Sequence, residues 1–179
     1  MIEIFITDLS AYNEGHLVGR WIKLPFSEEK LSEALNEVLR EGEIISGTDN
    51  HEEIFITDYE AEIAIDEYDN IEKLNEIAEV MQSYSKDDLL RLKFLSHEGF
   101  DEREVIENGV ENYDVDIYDY SSDTSFTDVY ELLAYDMVEE GLFGCVPKNF
   151  ENYIDYSAIG RDLSYDYTEF EHGILGRVA

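Results

Sequence analysis

Positive charge is what this chain has least of. Against 44 Asp and Glu it carries 12 Lys and Arg, a formal net charge of −32 over 179 residues. So few cations exclude a direct nucleic-acid binder of the usual kind, which neutralises phosphates with clustered Lys and Arg. The same shortage disfavours docking on an anionic membrane surface. Cysteine is nearly absent too: Cys145 alone permits no internal disulfide and does not suggest a secreted scaffold. Flanked by Gly144 and Val146, with no basic neighbour before Lys148, Cys145 is expected to be a small buried packing residue rather than a nucleophile. No apolar run approaches the ~20 residues of a membrane span. The opening MIEIFITDLS lacks the positive region of a signal peptide. A soluble, cytoplasmic protein is expected.

Catalytic signatures are missing as well. There is no Walker-type phosphate loop, no GxGxxG, no HExxH and no paired CxxC. The most calcium-like run, Asp114 to Asp119, lacks the glycine at loop position six and the acid at position twelve. His16, His51, His97 and His172 are scattered without metal-ligand spacing, and solvated or hydrogen-bonded structural roles are expected of them. A carboxylate pair such as Glu139/Glu140 has the composition for glycoside chemistry, but among 44 carboxylates a pair carries no weight. The expectation is a protein that is not an enzyme and uses no cofactor or metal.

What the chain has is core material and acid. Hydrophobic residues make up 44% and aromatics 13%, which argues against disorder. From Glu41 to Glu72 there are 12 acidic residues and no Lys or Arg; from Glu104 to Pro147 there are again 12 and none. Apolar residues run through both stretches at structural spacing. In YDVDIYDY (113–120), Tyr113, Val115 and Ile117 alternate with Asp114 and Asp116, the signature of a half-buried strand whose other face presents carboxylates to water. Residues 125–141 read as a helix, with Ser125 and Asp128 as a capping box and Gly141 as the stop. Tyr130, Leu133, Ala134, Met137 and Val138 form its apolar stripe, with Asp128, Glu131 and Glu139 on the opposite side. The acids therefore sit on an ordered scaffold.

The remainder reads as α+β. Residues 2–9 and 16–24 look like strands of a hairpin joined by AYNEG, and Pro25 ends the second. Ser27 can cap a helix with Leu31, Ala34, Leu35 and Val38 inside and Gly42 as its stop. EIFITD occurs twice, at Glu3–Asp8 and Glu53–Asp58, and predicts two similar strands of one small sheet. Three helices follow, opened by Asp69/Glu72, Ser85/Asp88 and Asp101/Glu104. The tyrosine-rich end, Tyr153 to Val178, is expected to hold one or two further strands. This order suggests three small units: an N-terminal α+β domain (1–70), a helical middle (71–112) and a C-terminal α+β domain (113–179). All are acidic, and the outer two dominate.

A net charge of −32 equals that of roughly 54 Å of duplex DNA, or about 16 base pairs, at one charge per ~1.7 Å of axis. Self-repulsion makes such a surface costly. Its retention suggests a partner with a basic groove of the kind that holds DNA, approached by electrostatic steering. Solubility or halophilic adaptation is the plain alternative. The candidate phosphate-like carboxylates are Asp49, Glu52, Asp58, Glu60, Glu62, Asp66, Glu67 and Asp69 in the first stretch. In the second they are Asp114, Asp116, Asp119, Asp123, Asp128, Glu131, Asp136, Glu139 and Glu140. Tyr113, Tyr118, Tyr120, Tyr130 and Tyr135 are interleaved with them, with core packing the expected use for at least half.

Three segments carry a family resemblance. TDLSAYNEGHLVGRWIKLP (7–25), AIDEYDNIEKLNEIAE (64–79) and LFGCVPKNFENYIDYSAIGRDL (142–163) occur in order across nearly the whole chain. Together they resemble the ArdA antirestriction proteins. The resemblance implies a DNA mimic, encoded on mobile elements, that inhibits type I restriction–modification enzymes by occupying the DNA groove of their methyltransferase core. It also implies an elongated, three-domain, curved homodimer. The segment 142–155 matches the family's antirestriction motif at the dimer contact, which makes Leu142, Val146, Pro147, Phe150, Tyr153 and Ile154 the implied interface residues. The other reading of these six is core of the third unit. The alternative function is an acidic decoy or chaperone for other basic DNA-binding proteins.

Overall fold

The strands of the N-terminal sheet are Ile-rich on alternate positions, and that spacing decides which face is covered. The computed structural model describes residues 1–123 and 127–179. The predicted Ser125 cap therefore lies outside the described residues. The chain divides into two compact units, Met1–Ser85 with Asp101–Asn108, and Lys86–Phe100 with Gly109–Ala179.

In the first unit, β1 (Ile2–Asp8) runs antiparallel between β2 (Gly19–Leu24) and β3 (Ile54–Glu60), in the order β2-β1-β3. The two EIFITD copies thus become neighbouring strands. Ile2 pairs with Leu24 and Ile4 with Ile22, so both rows bury one shared face. The helix α2 (Glu28–Ser46) packs on that face through Leu31, Ala34 and Val38. AYNEG is not a simple hairpin turn. Asp8 caps a short helix, α1 (Leu9–Asn13), by accepting from the Ala11 amide at 3.0 Å. Nor does Gly42 stop α2, which continues to Gly47 in the left-handed conformation. Gly42 is interior because a Cβ there would collide with the Asp8 carboxylate.

Helix α3 (Ile71–Met81) opens at Asn70, whose side chain accepts from the Lys73 amide at 2.7 Å, one residue after the predicted cap. Its buried Asn75 exchanges two hydrogen bonds with the Phe26 backbone, at 2.7 and 2.9 Å. Helix α5 (Glu102–Asn108) starts as expected, with Asp101 accepting from the Glu104 amide at 2.9 Å.

The second unit has a three-stranded antiparallel sheet ordered β4-β6-β5, formed by β4 (Val115–Asp119), β5 (Thr168–Glu171) and β6 (Ile174–Val178). Helix α6 (Val129–Glu139) lays Leu133 and Met137 against Leu175 and Tyr167 on one face. On the other, Phe94 of α4 (Lys86–His97) lies where Gly176 leaves room. With both faces covered, β4 departs from the alternation expected of it: Tyr118 packs into the α6 cluster and Asp116 is half-buried. Asp128 caps α6 by accepting from the Tyr130 amide at 2.9 Å. Gly141 (φ +75°) ends it, with the Gly141 amide donating to Val138 and the Leu142 amide to Met137. The tyrosine-rich end holds the two strands and also a helix, α7 (Tyr156–Leu163), absent from the sequence reading. Gly160 allows α7 to rest on α6, since a Cβ there would sit 2.7 Å from the Tyr130 carbonyl.

Candidate functional site

The carboxylates of the first stretch follow from the strand and the loop that leaves it. Asp58 and Glu60 stand on β3, Asp49 and Glu52 precede it, and Glu62, Asp66 and Glu67 follow; all seven are exposed. Asp69 differs. It is half-buried and grips Arg103 of α5 through two contacts, one of them 2.8 Å. Arg103 also donates to the Ala64 carbonyl at 3.3 Å, and Asp69 accepts from the Asp66 amide at 2.8 Å. The Arg103 guanidinium holds the Asp69 carboxyl below the usual range, and Asp69 in turn raises Arg103. Asp69 thus anchors the acidic loop rather than adding to its free charge.

The second stretch sorts the same way. Asp114, Asp123, Asp128, Glu139 and Glu140 are exposed, while Glu131 and Asp136 are half-buried on α6. Asp116 is paired with Arg177 across β4 and β6, where the two residues are in register. Arg177 also lies over the Tyr167 ring, 4.8 Å from its centre. Asp119, exposed at the end of β4, receives Lys86 at 2.7 Å, the Ser121 hydroxyl at 2.6 Å and the Ser121 amide at 3.1 Å. These donors, Lys86 first, bring its carboxyl down to about 2. Burial pushes the Tyr167 phenol up to about 12 and raises Tyr118 as well. Tyr118, Tyr120 and Tyr130 pack against the α6 cluster, so three of the five interleaved tyrosines are structural, whereas Tyr135 is exposed.

Thirteen of the seventeen candidate carboxylates are therefore exposed, and Asp69, Asp116 and Asp119 have a cation of their own. Among the described residues, no group of His, Cys, Asp or Glu is arranged to hold a metal ion. Exposed acids also stand outside the candidate seventeen. Glu72, Glu76 and Glu79 line one side of α3 at i, i+4 and i+7, a spacing visible in the primary structure.

The six interface candidates lie in or beside the segment between α6 and α7. Leu142 (61% exposed), Phe150 (56%) and Tyr153 (83%) are open to solvent. Pro147 is also exposed, while Val146 and Ile154 are half-buried. None of them is in the buried core. Cys145, expected to be buried, is exposed in the same segment, within the exposed run 142–145 that follows the end of α6.

His51 is the residue whose setting sequence could not supply. It is buried; its Nδ1 meets the buried Asp8 carboxylate at 2.6 Å and its Nε2 meets the Thr48 hydroxyl at 2.8 Å. This is a structural hydrogen-bonded histidine, one of the two roles expected.

Two small antiparallel sheets with their helices, carrying exposed carboxylates on and beside them, define an acidic α+β protein. The family model described as "Antirestriction protein (ArdA)" matches residues 4–175, and the chain belongs to that family. Membership implies antirestriction function, an inhibitor rather than an enzyme, acting on restriction enzymes. No curated protein sequence matches the chain. Among the described residues, no helix is long and apolar enough to cross a membrane.

Proposed function

We propose that this chain inhibits type I restriction–modification enzymes by presenting its carboxylates as the phosphates of duplex DNA to the groove of the methyltransferase core. The carrying observation is that thirteen of the seventeen candidate acids are exposed on or beside ordered strands and helices. No bond is made or broken. Lys and Arg of the enzyme that ordinarily hold phosphates receive Asp and Glu instead. One helix does not suffice. The Glu72–Glu76 spacing on α3 sets charges ~6 Å apart along the axis, against ~1.7 Å for duplex DNA. Several rows must therefore act together, and strands, loops and helices each supply one. The chain acts as a homodimer paired through residues 142–155, where Leu142, Phe150 and Tyr153 offer exposed apolar surface.

The test is inhibition of a purified type I enzyme by a variant with Asp114, Asp123, Glu131, Glu139 and Glu140 all changed to the amides. These side chains leave the Asp128 cap and the Asp116 and Asp119 ion pairs intact. Inhibition is expected to weaken by about tenfold or more, while single reversals change it little. Duplex DNA is expected to compete, with affinity falling as salt rises. Undiminished inhibition by the five-fold variant refutes mimicry. Equal affinity for a histone-like basic protein shifts the reading to a general acidic decoy.

A further inference from the structure

The N-terminal sheet has a second face, opposite α2, bordered by Tyr12 of α1. A cleft of about 670 Å³ opens there. Its floor is aromatic: Phe5 and Trp21 meet edge to face at 5.5 Å, and Tyr12 meets Phe55 the same way at 5.2 Å. Phe5 lies against Gly19, where a Cβ would stand 2.7 Å from its ring, so the glycine holds the floor open. Trp21 is 43% exposed and Tyr12 50%. The wall carries two exposed carboxylates, Asp58 and Glu67, and neither Lys nor Arg. Tyr12, Gly19 and Trp21, which belong to the first motif of the sequence, thus gather beside Asp58 and Glu67, two of the seventeen candidate carboxylates.

We propose that this cleft receives an arginine side chain projecting from a polypeptide partner. A phosphate-bearing or otherwise anionic ligand is repelled by the wall and by the net charge of −32. A purely apolar segment would strip water from Asp58 and Glu67 without replacing it. A cation removes that cost and gains attraction from the ring faces. Arginine suits the cleft better than lysine, because its guanidinium is planar, more weakly hydrated and able to stack on aromatic rings while forking to a carboxylate. Because Asp58 and Glu67 also belong to the candidate array, the inference rests in part on the mimicry reading, but it goes beyond it in committing the cleft to a single arginine held by aromatic rings.

Trp21 is the only tryptophan, so its fluorescence and its indole NMR signal report on the cleft directly. The probes are Gly-Arg-Gly, Gly-Lys-Gly and Gly-citrulline-Gly, each acetylated and amidated, titrated into the full chain. The arginine peptide is expected to shift the Trp21 signals saturably and to bind about five- to tenfold more tightly than the lysine peptide. Citrulline should leave them unmoved. The Phe5→Leu/Tyr12→Leu variant should lose the response while net charge is unchanged. Equal binding of arginine and lysine, a response that survives the leucine substitutions, or a silent Trp21 overturns the proposal. Should that variant not fold, Asp58→Asn/Glu67→Gln replaces it. It must weaken arginine binding several-fold more than the matched Glu72→Gln/Glu76→Gln change on α3, and equal effects would mean bulk charge alone. No restriction enzyme is present, so failure of the mimicry reading leaves this result standing, and the reverse.

Discussion

Asp119 illustrates how acids of one type come to do different work. Lys86 and Ser121 converge on it and bring its carboxyl to about 2, below the ordinary 3.8. A depressed value means the folded state favours the charged form. The contribution to stability is therefore complete above about pH 4 and is lost as pH falls through about 2. In Lys86→Ala the Asp119 midpoint is expected to rise toward 3.8 while Ser121 still restrains it. Carbon-detected NMR titration of the side-chain carboxyl measures this, and an unmoved midpoint would contradict the role given to Lys86. Pairings of this sort were not legible in the sequence. Lys86 is 33 residues from Asp119, Arg103 is 34 from Asp69, and Arg177 is 61 from Asp116. Which carboxylates are free and which are tethered is settled by tertiary structure, whereas the acidic stretches themselves were plain from counting.

At the scale of elements, glycine explains most of the difference between pattern and fold. Residue pattern places β1, β3 and the α6 stripe, although β3 buries the adjacent pair Phe55 and Ile56, where its register with β1 shifts, and α6 buries Leu132 as well. It misjudged Gly42, taken as a stop, and passed over α7, in which Gly160 interrupts a Tyr156, Ile159, Leu163 stripe. Both glycines serve close approach, to Asp8 and to the Tyr130 backbone, a demand that no local pattern announces. Gly176 is a third case, lying under the Phe94 ring. Gly176→Ala is expected to destabilise the second unit by about 1–3 kcal/mol through overpacking. Chemical denaturation followed by near-ultraviolet circular dichroism should show the lower midpoint; unchanged stability would mean that Phe94 does not seal that face.

For the whole molecule, the carboxylate rows and the 142–155 segment make separable demands. Tyr153 and Phe150 are the most exposed aromatics of that segment apart from Phe143, and large exposed apolar groups close in sequence mark a contact surface. Sedimentation velocity at micromolar concentration is expected to give a dimer for the parent chain and a monomer for Phe150→Asp/Tyr153→Asp. A parent that sediments as a monomer throughout would remove the homodimer from the proposed function without touching the acidic array.

The doubled hexapeptide sets a hazard that the fold also answers. The run IFITD shared by β1 and β3 is rich in strand-forming residues, and β3 stands at the margin of its sheet, with one row of backbone groups turned away from β1. The chain turns back along that margin, so that the Ile56 amide donates to the Glu67 carbonyl at 2.8 Å. The returning segment is fastened by Arg103 on Asp69. That clamp therefore keeps the returning segment along the β3 margin, where open backbone groups would otherwise invite pairing with another chain.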